Sequence, residues 1–339
     1  MTKGLAPTQN WHSKAPANTM ILGEHSVVYG QAALACALDQ FIEINWQTRS
    51  DDQIHIHSAL AQHETNLSEL TPHPKLEFVM LALQAFQAEL PFGLNIEIKS
   101  EFSSTIGLGS SAAVLAAMLS GLNHICQQHH STLELFEIGH AIILKIQGRG
   151  SATDLAASLS GGVIYFQPKS EIHLRPIIKK LNLSLPICLI YAGYKTPTAQ
   201  VLKQVAEQWA DQSEALDHIY QQMGTCTQNA FKALQNLPET ADSLIRTSDN
   251  LNPFYTAFDQ YQDLMDQLGV NDKTLTLLIN TLKKCPHIQA AKISGSGLGD
   301  CVLGLGSLNN CSGAESDILN QYQKLEVNIT PLGASTTCA

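Results

Sequence analysis

Positive charge is scarce in this chain. Lysine and arginine number 20 against 30 aspartates and glutamates, giving a formal net charge of −10. A nucleic-acid surface needs a basic face, so that class of partner is not expected. A small anionic ligand is not excluded, because local charge and backbone N–H groups can hold it. Paired cysteines are missing too. The eight cysteines lie at 36, 126, 188, 226, 285, 301, 311 and 338, with no C-x-x-C pair. That argues against a disulfide or zinc framework and for reduced thiols in a cytoplasmic setting. No apolar run reaches the length of a membrane span, and MTKGLAPTQNWHSKAPAN at the start has no apolar signal core. Neither repeats nor low-complexity segments occur. What remains is 339 residues, 44 % hydrophobic and 15 % charged, enough for one large or two ordinary domains.

The apolar spacing predicts an α+β chain. FIEINW (41–46), QIHIH (53–57) and LNIEIKS (94–100) alternate as half-buried strands do. His55 and His57 share the polar side of one of them, a solvated face far more readily than a metal site. Helical spacing appears over 75–90, after the glycine stretch at 107–111, and over 132–147, where Ser131 and Glu134 are spaced as a capping box. The loop GRGSATD and a small-residue helix follow, then the strand VIYF. A boundary near 165–185 divides the chain into 1–167 and 168–339. Beyond it, SLPICLIYAG reads as a buried strand, and a long helical region runs from about 198 to 284, broken at Asn252-Pro253. Two strands flank GSGLG, and a helix over about 313–324 precedes the strand-like LEVNITPLG.

Four segments carry chemistry. In TIGLGSSAAV (105–114), glycines and serines crowd in front of a helix. A helix N-terminus offers free N–H groups and partial positive charge, and glycines let a phosphate approach the backbone. The lysine of a P-loop is absent. A tight strand-to-helix turn would use the same residues. In PANTMILGEHSVVYG (16–30), an adjacent Glu and His could hydrogen-bond a hydroxylated ligand or occupy a surface turn. In SGSGLGDC (294–301), a nest of N–H groups would bind an anion, or the loop is simply a hairpin. In RGSATD (149–154), Asp154 is a candidate general base and equally a candidate N-cap of the next helix, two roles that can coexist, and Arg149 is a candidate phosphate ligand.

In this order and at these separations, the four segments resemble those of the GHMP kinases, the superfamily of galactokinase, homoserine kinase, mevalonate kinase and phosphomevalonate kinase. APANTMILGEHSVVYG is similar to the first motif, with GEH-x-VVYG nearest in wording to mevalonate kinases. TIGLGSSAAV is similar to the second motif and KISGSGLGDC to the third. GRGSATDLAASLSGG looks like the segment bearing the catalytic aspartate. The likeness spans residues 15–305. It implies a two-domain GHMP kinase fold, ribosomal protein S5 domain 2-like over 1–167 and ferredoxin-like over 168–339. It also implies ATP and Mg²⁺ as cofactors and phosphorylation of a small hydroxy acid, mevalonate in the first instance. Phosphomevalonate kinase, another kinase of the family, and a binding protein without catalysis are the alternatives. A homodimer is compatible with the family.

The resemblance also assigns residues. Gly107, Leu108, Gly109, Ser110, Ser111 and Ala112 would cradle the ATP phosphates, with Ser111 on Mg²⁺. Ser294, Gly295 and Gly297 would buttress that site. Asp154 would face the substrate hydroxyl, and Glu24, His25, Arg149 and Lys195 would line the substrate pocket. Two positions depart from the pattern. Asn18 stands where the family's first motif has a lysine, leaving Lys14, Arg149 or Lys195 to supply the charge. Ile143 stands where mevalonate kinases carry a metal-binding glutamate, and AIILKIQGRGSATDLAAS leans toward phosphomevalonate kinases.

Overall fold

The computed structural model describes residues 9–181, 183–235 and 248–338. Its longest strands come first. β1 (Asn10–Leu22) and β2 (Ala33–Thr48) pair antiparallel along nearly their whole length, with register shifts at Pro16/Ala17 and Met20/Leu22. β1 follows no simple alternation, because its middle is buried on both sides, and the sequence pattern did not mark it as a strand. β3 (Gln53–Ser58), β4 (Gln62–Asn66) and β5 (Leu94–Ser100) extend the sheet, β3 lying parallel to β5. β6 (Val163–Gln167) pairs with the first part of β2, and β7 (Ile177–Leu181) pairs with β6. The last strand, β12 (Ser335–Cys338), returns to β1. The first sheet thus also takes β7 and β12 from the residues after 167.

Four helices cover this sheet: α1 (Glu77–Ala85), α2 (Ser110–Ile125), α3 (Thr132–Gln147) and α4 (Thr153–Ser160). The predicted capping box at Ser131 and Glu134 is formed. The core beneath them joins Ile44, Trp46, Leu115, Leu119, Phe136, Leu155 and Phe166. Gly121 lies where α2 meets Trp46, and a Cβ there would fall 2.5 Å from the indole ring.

The second sheet is antiparallel, in the order β11-β8-β10-β9: β8 (Ile187–Tyr191), β9 (Ile288–Ser294), β10 (Cys301–Gly306) and β11 (Gln323–Leu325). Numbered along the chain this is 4-1-3-2, the ferredoxin-like arrangement. The helices of this part are α5 (Thr198–Gln208), α6 (Ser213–Gln235), α7 (Ser248–Leu268), α8 (Lys273–Leu282) and the short α9 (Ala314–Leu319). The core against β9 is aromatic, with Phe254, Phe258 and Tyr261 fully buried. The expected α+β architecture is therefore present.

Local details differ from expectation. The helical region after 198 breaks after Gln208, while Pro253 lies inside α7, in its second turn, where it costs one intrahelical hydrogen bond. Part of that region, 236–247, lies outside the described residues. The expected helix over 313–324 ends at Leu319, and β11 follows. Residues 328–330 run beside β2 through Asp39 N–Asn328 O and Thr330 N–Ala37 O. Cys285 and Cys311 form a disulfide, correcting the expectation of thiols alone; the turn after α8 and the loop before α9 bring the two Cα atoms to 5.1 Å. No described helix is long and apolar enough to cross a membrane. His55 and His57 sit on the solvated side of β3.

Because Gly121 sets how closely α2 lies on the sheet, Gly121→Val should lower stability by about 1–3 kcal/mol through overpacking. Denaturant unfolding measures this, and a variant as stable as the parent would show that α2 can shift freely.

Candidate active site

The two sheets meet where the end of β1 passes β9: Thr19 Oγ1 and Ser294 Oγ are 2.7 Å apart, and Ser294 Oγ also donates to the Met20 carbonyl. Beside this seam lies a cavity of about 570 Å³. All four sequence segments reach it. Its lining includes Gly107 to Ala112, Gly150 to Asp154, Glu24 and His25, and Ser294 to Ser296, together with Lys195 and Asp300. Gly297 does not line it. A Cβ at Gly297 would strike the Val270 carbonyl, so that glycine serves the loop's packing.

The N-terminus of α2 points into the cavity. Gly107 and Gly109 are both left-handed, at φ 75° and 67°, a conformation that favours glycine. The first N–H groups of α2 have no intrahelical acceptor, and Ser111 is exposed in the first turn. Gly109 is needed on its inner side as well: a Cβ there would lie 2.3 Å from the Asn18 side chain. Asn18 is buried and bridges the loops. Its Nδ2 donates to Ser158 Oγ at 2.9 Å, and its backbone N–H donates to the Leu108 carbonyl at 3.1 Å. Asn18 therefore acts as a neutral tie between β1, the glycine loop and α4.

Asp154 is not an N-cap. Ala152, at φ 59°, holds that position, and Asp154 lies in the first turn of α4 on the cavity wall. Burial is the main cause that pushes its carboxyl up to about 6; nearby Glu24 and Asp300 add to this, and Lys195 opposes it. Lys195 Nζ is 3.4 Å from Asp300 Oδ1. Of the three cations that could replace the expected lysine, Lys14 lies over the Phe41 ring and away from the cavity. Arg149 sits at the exposed rim and donates to the Ala199 carbonyl. Lys195 is the one whose charge is felt by Asp154.

Glu24 and His25 form a tight turn. His25 is left-handed at φ 59°, an uncommon state for a residue other than glycine. Its Nε2 donates to the Ser296 carbonyl at 2.8 Å, and burial lowers its pKa, so it is neutral with Nδ1 left as an unpartnered acceptor. Glu24 Oε1 accepts from Lys292 Nζ at 2.5 Å, with both side chains almost wholly buried, and Lys292 also donates to the Ile293 carbonyl. The other Glu24 oxygen has no partner among the described residues. Tyr261 donates to the Glu24 carbonyl at 2.7 Å. Lys292 stands out in the sequence only as the one charge in the apolar strand IQAAKIS, and Glu24 only as a charge between apolar runs. Neither fact alone names the other as its partner. Asp300 likewise lies in the stretch SGSGLGDC with nothing local to assign it a role.

A glycine loop at a helix N-terminus thus faces a buried carboxylate and a lysine across the seam of the two sheets, an arrangement that suits a small anionic ligand. Residues 77–162 match the family model described as the GHMP kinases N terminal domain. The chain is 28 % identical to a mevalonate kinase of Thermococcus sibiricus over 309 residues, covering 86 % of this chain and 88 % of that one. Among solved structures, the Lin0012 protein from Listeria innocua superposes with a TM-score of 0.82 at 17 % identity, covering 97 % and 99 % of the two chains. The mevalonate kinase of Methanococcus jannaschii does so at 0.73 and 19 %, covering 94 % and 98 %. The match to the GHMP kinases N terminal domain is confined to residues 77–162, while the likeness to mevalonate kinases extends over 86 % of the chain.

Removing one partner of a buried ion pair strands the other, at a typical cost of about 3–5 kcal/mol. Lys292→Met should therefore lose stability on that scale, and Glu24→Gln combined with Lys292→Met should recover a large part of it. Equal stability of the single and double variants in urea would show that the pair is not coupled.

Proposed function

We propose that the chain is an ATP-dependent kinase that phosphorylates mevalonate. The observation that carries this reading is the meeting of the α2 N-terminus, Asp154 and Lys195 in one cavity. Phosphoryl transfer asks a protein for positioning and charge neutralisation more than covalent help. The free N–H groups of α2 and the glycine loop suit the β- and γ-phosphates, and Lys195 suits the charge that builds on the transferring group. The substrate hydroxyl attacks the γ-phosphorus, the bond to the bridging oxygen breaks, ADP leaves, and the hydroxyl proton passes to Asp154. The choice of mevalonate follows the names of the similar proteins and the Glu24-His25 turn.

The residues present also suit Mg²⁺. This ion keeps several waters and takes one or two carboxylates along with substrate phosphates, and Ser111 and Asp154 face the same cavity. The first turn of α2 holds no carboxylate, Ile143 lines the cavity where a glutamate was expected, and among the described residues no cluster of three His, Cys, Asp or Glu side chains would hold a metal unaided. The ion would therefore arrive with the nucleotide and neutralise charge on its phosphates. Arg149 at the rim supports a second reading, in which the acceptor already carries a phosphate. A cytoplasmic enzyme is the setting this function suits.

Asp154 must be ionised to accept a proton. Below about pH 6, kcat/KM for mevalonate should fall by about tenfold per unit. Asp154→Asn should lower kcat by about 10²–10⁴-fold in an ADP-release assay. The same raised pKa means that ionisation opposes folding: the carboxyl's contribution is intact below the unfolded value and is lost as pH rises through about 6. The Asn variant should therefore melt at or above the parent's temperature at pH 8. Near-full activity of Asp154→Asn would remove Asp154 from the reaction.

A further inference from the structure

Lys195 lies on the segment that follows β8, and that segment is stitched to the third glycine loop. Ala192 N donates to the Asp300 carbonyl at 2.8 Å, Asp300 N donates to the Tyr194 carbonyl at 2.9 Å, and Thr196 Oγ1 donates to the Leu298 carbonyl at 2.6 Å. The loop is itself anchored by Leu298 N on the Val270 carbonyl at 2.8 Å. Its chain is unusual. Leu298 and Asp300 are both left-handed, at φ 52° and 66°, and a Cβ at Gly299 would lie 2.8 Å from the Tyr194 carbonyl. Such conformations persist only where the surroundings fix them.

This geometry delivers one carboxylate to an unexpected place. The Asp300 side chain is 7 % exposed and packs against Gly107 of the phosphate loop, where a Cβ would stand 2.5 Å from Oδ1. Among the described residues Oδ1 has no hydrogen-bond partner at good geometry, and its ion-pair partner is Lys195 Nζ at 3.4 Å. A bare carboxylate beside an anion site would repel the ligand. It is compatible with that position only as the partner of a cation. The lysine, 36 % exposed on a flexible four-carbon stem, would otherwise spread over many rotamers toward solvent.

We propose that Asp300 is a positioning residue, holding the Lys195 ammonium at the cavity wall where the glycine loop and Asp154 converge. The third glycine loop then has two tasks: it meets the phosphate loop, and it aims the cation that replaces the lysine missing at Asn18. This rests on the kinase reading, but its structural core can be tested without turnover.

Asp300→Asn keeps the shape and tolerates the left-handed backbone. It should lower kcat about tenfold or more without raising KM for ATP, since a repulsive charge is also lost. A collapsed loop would raise KM instead. Lys195→Met should cost at least as much, and adding Asp300→Asn to it should lower kcat no further, because the two act as one unit, while the KM for ATP should fall as the stranded carboxylate is removed. Amine labelling followed by mass spectrometry supplies the readout independent of activity. In the parent, Lys195 should react more slowly than the exposed Lys203, and Asp300→Asn should remove the difference. The proposal is overturned if Lys195 labels as fast as Lys203 in the parent, if labelling is unchanged by Asp300→Asn, or if the two substitutions multiply in kcat. If Asp300→Asn does not fold, the parent labelling ratio still decides. Protected Lys195 in a protein that releases no ADP with any acceptor would leave the clamp standing and end the kinase reading.

Discussion

The ion pair of Lys292 and Glu24 is the constraint on which the site depends. It joins β9, an edge strand of the second sheet, to the turn that follows β1, with both charges out of water. Such a pair is expensive to bury and is weak evidence for stability in itself. Here it lies among Phe258 and Tyr261, whose rings flank the ammonium, and Tyr261 also holds the Glu24 carbonyl. What the pair fixes is geometry. With Glu24 anchored, His25 is held in a left-handed conformation and meets Ser296 across the seam. The two sheets therefore close on each other in one register, and the cavity takes its shape from that register.

Around the cavity, charge is distributed with some economy. Three carboxylates, Glu24, Asp154 and Asp300, approach a site suited to anions, and two lysines answer them. Lys292 neutralises Glu24 from behind. Lys195 pairs with Asp300, and its charge tempers the rise that burial imposes on both Asp154 and Asp300. The carboxyl of Asp154 ends near neutrality, the range in which a proton acceptor is most useful. Asn18 contributes no charge, but it ties the glycine loop to α4 through Ser158 and so fixes the distance between the α2 N-terminus and Asp154.

Much of this was legible in the residues, for reasons that can be stated. Amphipathic elements declared themselves by spacing, and the capping box at Ser131 and Glu134 was read correctly because both partners lie within one turn. The glycine turn before α2 was visible because glycines before a small-residue helix are a local signal. β1 was not, because a strand buried on both faces shows no alternation. The partners of Glu24 and Lys195 were not, because each lies far along the chain: Lys292 is 268 residues from Glu24. The N-cap reading of Asp154 failed because the helix begins two residues earlier, at a backbone conformation that no residue type announces. The disulfide was missed because spacing carries no information about two cysteines joined by a fold.

The central claim is that this cavity transfers a phosphoryl group from ATP to a hydroxyl of mevalonate. Phosphorus NMR of the protein incubated with ATP, Mg²⁺ and mevalonate observes that transfer directly. The account predicts loss of the γ-phosphate signal, growth of ADP, and a new phosphomonoester resonance in equal amount, with a higher kcat/KM for mevalonate than for phosphomevalonate. Loss of ATP to free phosphate alone, or faster turnover of the phosphorylated acceptor, would contradict it.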